Sequence, residues 1–302
     1  MDADHRRLLR ELATDPSEAL ALDVLHRALR AGDDEGWEQA LAWLCDLSRW
    51  DGLGREAKRE LGAVLAQALD LPFDRVQAFA QGDQRHEVLV FASPFPPPSP
   101  GEESPPPLEW SLIPGGEVEL GWAGDLRAGL NLEPHALLPD FAGVQLAPER
   151  RGRLRPFLIE RTPPDPVEPE ASHADLVAAL AAQGRRLPTP DEWEHACSGG
   201  SRALFRWGPR APRGLFDPEH DLQAPNAFGL ELPVFFRPRP ELTTEPGLLR
   251  GGSDATWAPS ETEWGWLELA SAFEYRPAPG WDGVARARRV LDPTPRRPPW
   301  PV

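Results

Sequence analysis

The prolines between Pro94 and Pro107 constrain this chain more than any other feature. Eight fall in that stretch, mixed with Ser99, Gly101, Ser104 and the pair Glu102-Glu103. A segment so poor in backbone donors cannot sit inside a helix or sheet, which predicts an extended, semi-rigid connection. The chain should then divide into residues 1–90, a connection over 91–107 and a second unit over 108–302. A length of 302 residues also suits two cores better than one.

The two sides differ in texture. Before the prolines, Leu8 and Leu12 mark one face of an opening helix. Asp15-Pro16-Ser17-Glu18 predicts a helix start, with Asp15 as cap, Pro16 in the first turn and Glu18 completing a capping box. Leu22, Leu25 and Leu29 follow at helical spacing, and Gly32-Asp33-Asp34 ends the run. Trp37, Leu41, Leu44 and Leu47 repeat the pattern, as do Leu61, Val64, Leu65 and Ala68, so residues 1–90 predict a small all-helical bundle. After the prolines, Gly, Pro and Trp punctuate short apolar runs. Helical stretches stand out only over Asp175–Ala182 and from Pro190-Asp191-Glu192-Trp193 onward. Short strands and long loops should make up the rest, an irregular α+β arrangement.

Composition excludes several classes of function. A hydrophobic content of 40% with 26% charged residues describes a globular chain. No apolar run approaches the roughly 20 residues that would span a bilayer, and the polar Met1–Arg6 start lacks the core of a signal peptide. Cys45 and Cys197 are the only cysteines, which builds neither a disulfide framework nor a four-thiolate metal site and fits a reducing cytoplasm. The net charge is −16. Residues 1–90 carry eighteen acidic against eleven basic side chains, so neither half is a basic module for nucleic acid. Lys58 is the single lysine, and the arginine bias reads as a property of GC-rich coding.

Several separated segments fall into a recognisable order. They are Trp110–Gly116 with Leu120-Gly121, then Arg155–Pro163, then Arg186-Leu187-Pro188-Thr189-Pro190-Asp191-Glu192-Trp193-Glu194-His195-Ala196 with Gly199-Gly200 and Trp207-Gly208. Asn226–Leu230, Leu249–Ser253 and Gly283–Ala287 complete the series. Together, over about 108–292, they resemble the formylglycine-generating (sulfatase-modifying) enzyme family. The resemblance implies a C-type-lectin-like fold for the second unit, with a twisted sheet, two helices and much loop. In its most specific segment Thr189 should cap a helix that begins at Pro190, with Glu192 at the third position. These are structural roles.

The chemistry the resemblance implies is not matched. Formylglycine-generating members bind copper through a cysteine pair between the Arg-Gly-Gly-Ser segment and the closing strand, whereas Asp254–Gly283 holds neither Cys nor His. Ergothioneine-type members take three histidines from a helical bundle; His5, His26 and His86 are too scattered for that. His135, His173, His195 and His220 lack the partners a metal site needs. The family's calcium-binding stretch is replaced by Glu231-Leu232-Pro233-Val234-Phe235-Phe236-Arg237, leaving Asn226 as a lone survivor. Ser253 has no elbow motif around it, and Cys197 and His195 point apart on a helix. No cofactor is expected.

What remains is a surface. Trp257, Trp264, Trp266, Tyr275 and Trp281 crowd the C-terminal part and interleave with Glu261 and Glu263. Aromatics concentrate at binding hot spots, although they also fill cores. The expectation is a non-catalytic recognition or adaptor protein. It would bind a protein, peptide or small ligand through those seven residues, without nucleic acid, membrane or metal. The competing readings are a metal-dependent oxidase with an unconventional site, and a structural subunit of a larger assembly.

Overall fold

The leucine periodicity of the N-terminus closes into helices that cover one face of a sheet. The computed structural model describes residues 3–93, 107–132, 144–162, 172–212, 221–232, 240–252, 265–277 and 284–295. The opening helices are α1 (Ala3–Thr14), α2 (Glu18–Ala31), α3 (Asp34–Leu44), the single turn α4 (Leu47–Trp50) and α5 (Arg55–Leu69). Ser17, not Asp15, caps α2: its hydroxyl accepts the Leu20 N–H at 3.3 Å, which leaves Pro16 outside the helix. Glu18 does not close a capping box either. Its carboxylate reaches across to accept the Gly54 N–H at 3.1 Å, tying the start of α2 to the start of α5. Gly32 ends α2 in the left-handed region, at φ 65°.

Residues 73–93 depart from the helical expectation for 1–90. They form a hairpin of β1 (Phe73–Gln81) and β2 (Gln84–Ser93), turning at Gly82 with φ 61°. The reason is burial on both sides. Leu89 and Phe91 pack with the helices, while Val88 and Val90 pack on the opposite face. A strand covered twice reads as the unbroken apolar run Val88-Leu89-Val90-Phe91, without the alternation that marks a half-exposed strand.

The hairpin is the edge of a five-stranded antiparallel sheet in the order β1-β2-β3-β7-β11, where β3 is Leu108–Ile113, β7 Phe157–Glu160 and β11 Val290–Leu291. Trp110, Leu112, Leu158 and Leu291 face the helices in one continuous core. Ile113, Phe157, Ile159 and Val290 face the other way, against Phe228, Leu230 and Ala196 of α8 (Pro190–Ser198). Beyond that second core lie a ribbon of β4 (Gly116–Leu120) with β6 (Arg150–Leu154), and a small sheet ordered β5-β10-β9-β8. Its strands are Val144–Leu146, Phe273–Tyr275, Leu249–Arg250 and Glu241–Leu242. Two further helices, α6 (Leu126–Gly129) and α7 (His173–Ala182), and a 3-10 turn at Gly265–Leu269 complete the described elements. No described helix is long and apolar enough to cross a membrane.

The proline segment, residues 94–106, lies outside the described residues, but the strands on either side of it pair directly, from Val90↔Ser111 to Ser93↔Leu108. Helices and sheet therefore share one core across the expected boundary. Cleavage at a protease site engineered between Pro98 and Gly101 should leave two pieces that co-elute and unfold in a single transition. Pieces that part into a helical and a mixed fragment, each melting cooperatively, would instead restore two independent units.

Candidate functional site

Of the seven residues expected to form the recognition surface, Trp257, Glu261, Glu263, Trp264 and Trp281 lie outside the described residues. Trp266 is buried, at 6% exposure, and packs edge-on against Trp207 with ring centroids 6.5 Å apart. Tyr275 is half-buried against the same cluster in β10. For these two, the core role of the aromatics prevails over an exposed one.

The described histidines are each committed to a different structural partner. His26 meets Glu60 at 3.0 Å, and His173 meets the Thr243 carbonyl at 2.8 Å. His86 lies between Asp51 and the Gly199 carbonyl, at 3.0 and 3.2 Å, stacked on Phe228. His195 binds the Pro114 carbonyl at 2.9 Å, and burial pushes its pKa down to about 4, so it is neutral. His135, His220 and the side chain of His5 lie outside the described residues. Among the described residues no three His, Cys, Asp or Glu side chains come together as a metal site. Burial raises both thiols, Cys197 to about 12, which keeps them protonated.

The segment that carries the family resemblance is built as the sequence implied. Thr189 accepts the Glu192 N–H, and the Glu192 carboxylate accepts the Thr189 N–H at 2.8 Å, with Pro190 in the first turn. Arg186 grips Glu192 with both terminal nitrogens, at 2.6 and 2.7 Å, and also binds Asp292. Asn226 is not a surviving cation ligand. Its amide donates to the Ala196 and Cys197 carbonyls at 2.6 and 2.9 Å, and its oxygen accepts from the Phe228 and Leu230 amides at 3.1 and 2.9 Å. It ties the last turn of α8 to the following loop. Pro233–Arg237 lie outside the described residues.

A cleft of about 400 Å³ lies beside α8. Its walls come from the end of β4 and the loop after it (Glu119–Gly124), from Glu149, from Glu194 and Ser198 on α8, from Ser201–Leu204, and from Ser271-Ala272 before β10. Gly121 makes this geometry possible: its φ is +84°, and a Cβ there would lie 1.9 Å from the Pro148 carbonyl oxygen. Its N–H is thereby aimed at the Glu194 carboxylate, which accepts it. The other Glu194 oxygen takes Arg150 at 2.9 Å and Arg250 at 3.4 Å. Arg250 is fully buried and also binds Glu274 at 2.9 Å. Burial draws the Arg250 pKa down against the pull of these carboxylates. Beneath the cleft Glu194 thus belongs to an ion network in which Arg150 and Arg250 are shared among Glu194, Glu274 and Asp191.

The mouth is different. Arg202 reaches between Glu119, at 2.7 Å, and Glu149, at 3.0 Å, and stays largely exposed. Trp122 walls one side, its buried indole N–H without a partner. None of Glu119, Trp122, Glu149 or Arg202 was singled out from sequence. The pairing of Gly121 with Glu194 was the available signal, since both lie in segments that carry the family resemblance.

In class the chain is an α+β protein whose charged cleft lies at the junction of α8 with two small sheets. No family model matches it. Over 45 residues it is 42% identical to a formylglycine-generating enzyme of Mycobacterium tuberculosis, a stretch that is 15% of this chain and 15% of that protein. The chain thus matches about 15% of the length of this curated relative.

Proposed function

We propose that the chain is a non-catalytic recognition protein, its part from Leu108 onward a formylglycine-generating-enzyme-like domain of C-type-lectin-like fold, and that it holds its ligand in the cleft beside α8. The local similarity to a formylglycine-generating enzyme supports the fold assignment. One observation carries the functional reading: the ionisable groups that wall the cleft are held by counter-charges. Glu194 is saturated by Arg150, Arg250 and the Gly121 amide, Glu119 pairs with Arg202 and Arg151, and Glu149 shares Arg202. A general acid or base needs a proton it can exchange near neutral pH, and a nucleophile needs activation. These groups orient and hold. The nearest thiol, Cys197, is buried with its pKa at about 12.

The test is to fill the mouth without touching the fold. Ala123 is exposed and lines the cleft. Ala123→Trp should leave melting within about 0.5 kcal/mol of the parent. The same change should weaken a partner identified by affinity purification from the native cells by about 2 kcal/mol or more. A partner held equally by the variant would remove the cleft from recognition. A partner released chemically altered by the parent protein would make the chain an enzyme.

A further inference from the structure

Among the described residues four arginines are more than nine-tenths buried, Arg161, Arg206, Arg250 and Arg288. Three of them pair with a carboxylate: Arg161 with Glu109, Arg250 with Glu274 at 2.9 Å and Arg288 with Glu241 at 2.7 Å. Arg206, 3% exposed, meets none. Its Nη2 donates to the Leu222 and Leu232 carbonyls at 3.0 and 2.8 Å, and its guanidinium carbon lies 5.1 Å from the Trp207 ring centroid. Its buried Nε has no acceptor. Two ionisable groups bear on it: the Cys197 thiol, held protonated by its own burial, and Arg288, which repels it. Burial brings the Arg206 pKa down to about 10, which still leaves it cationic at neutral pH. A buried charge without a counter-charge is costly, and two carbonyls and an aromatic face offset it only in part. The chain has 48 acidic side chains, so carboxylates are not scarce, yet none is placed here.

A second orphan lies at the same corner of the fold. Gln81, 7% exposed, has no partner for its amide nitrogen or its oxygen. Its neighbour Gly82 turns the β1–β2 hairpin against the backbone of residues 206 and 207. A Cβ on Gly82 would lie 2.9 Å from the Trp207 carbonyl oxygen and 3.4 Å from that of Arg206. Gln81 shares a strand face with Phe79, whose core cluster Leu232 joins, and Leu232 is one of the two carbonyl partners of Arg206. An unused guanidinium N–H and an unused amide are thus gathered where the hairpin turn meets the turn that closes between Phe205 and Gly208. Both are donors, and an uncompensated buried polar group favours a partner of the opposite kind.

We infer that this corner is a binding site for a small monovalent anion of the halide class, held by Arg206 with the Gln81 amide beside it. One negative charge neutralises one guanidinium, whereas a divalent anion would bury an excess charge and cost more to dehydrate. The bound anion would tie the hairpin turn to residues 205–208 and to the loop around Leu232, so it acts on the stability of the fold. The site is separate from the cleft beside α8, whose walls do not include Arg206, and the inference does not depend on the recognition reading.

Chloride is the probe, and melting of the full chain is the readout, with sodium gluconate replaced stepwise by sodium chloride at constant ionic strength. Gluconate is too large for a site this buried. The parent's melting temperature should climb and level off, by roughly 3–5 °C at about 0.5 M chloride for a dissociation constant of about 10 mM. Arg206→Met, which keeps the length and removes the charge, should melt at the same temperature in both salts. Crystals of the parent soaked in bromide should show its anomalous peak beside Arg206 Nε, a reading that stands even where Arg206→Met fails to fold. Parent melting that is alike in both salts would overturn the proposal. So would an equal chloride response in Arg206→Met, or bromide peaks elsewhere and none at Arg206.

Discussion

Replacing Arg288 by Met should cost the fold about 3–5 kcal/mol, the range for removing one partner of a buried pair. Arg288 is fully buried, with Nε and Nη2 on the two Glu241 oxygens at 2.8 and 2.7 Å. It also donates to the Glu160, Arg161 and Glu231 carbonyls at 2.7, 3.0 and 3.1 Å. One side chain thus stitches β7, β8 and the loop after Asn226 together. Burial alone would raise the Glu241 carboxyl, but Arg288 outweighs it, helped by the Trp193 indole N–H at 2.8 Å, and the pKa lies below normal. A depressed carboxyl contributes stability at neutral pH that is lost as pH falls through its folded-state value. Without Arg288 the sign reverses. Glu241 then keeps only the Trp193 N–H and the charge of Arg286 against full burial, its pKa should rise, and the variant's deficit should shrink as pH falls from 7 toward 5. Denaturant unfolding at both pH values measures this, and Glu241→Gln added to Arg288→Met should recover part of the loss. An equal deficit at both pH values would show that Glu241 is not the charge left behind.

How much of this was legible in the sequence depends on the range of the contacts. Thr189, Pro190 and Glu192 signal their helix through bonds three residues apart, so their roles could be read directly. The α2 start is not decided by local sequence: Asp15 and Ser17 are both competent caps, Ser17 takes the role, and Glu18 accepts the Gly54 N–H from a distant part of the chain. The hairpin of β1 and β2 was hidden by its two covered faces. The cleft was the least legible part. Its lining comes from the separate stretches 119–124, 149, 194–204 and 271–272, and Glu119, Glu149, Glu194 and Arg202 each alone resemble an ordinary solvated charge. Arg250 and Arg288 are as opaque, since nothing local distinguishes a fully buried arginine from a surface one.

Asn226 carries the last prediction because its side chain suits two incompatible roles. An amide oxygen can ligate calcium, and the same amide can close a helix end, which is what its four hydrogen bonds do here. Asn226→Asp keeps the shape and the acceptor oxygen but removes both donors, and at neutral pH it presses a carboxylate against the Ala196 and Cys197 carbonyls. With the site 1% exposed, that change should cost about 3–5 kcal/mol at pH 7. Desolvation and the two carbonyls should raise the new carboxyl's pKa. A raised folded-state pKa means a penalty that is full at neutral pH and relieved as pH falls, when the protonated acid returns one donor. Asn226→Ala, which introduces no charge, should be destabilised by a similar amount at every pH. Calcium separates the two roles. If Asn226 were a ligand, the aspartate would bind the cation more tightly and millimolar calcium would restore its melting temperature. Capping predicts no rescue, and calcium-dependent recovery of Asn226→Asp alone would overturn the capping assignment.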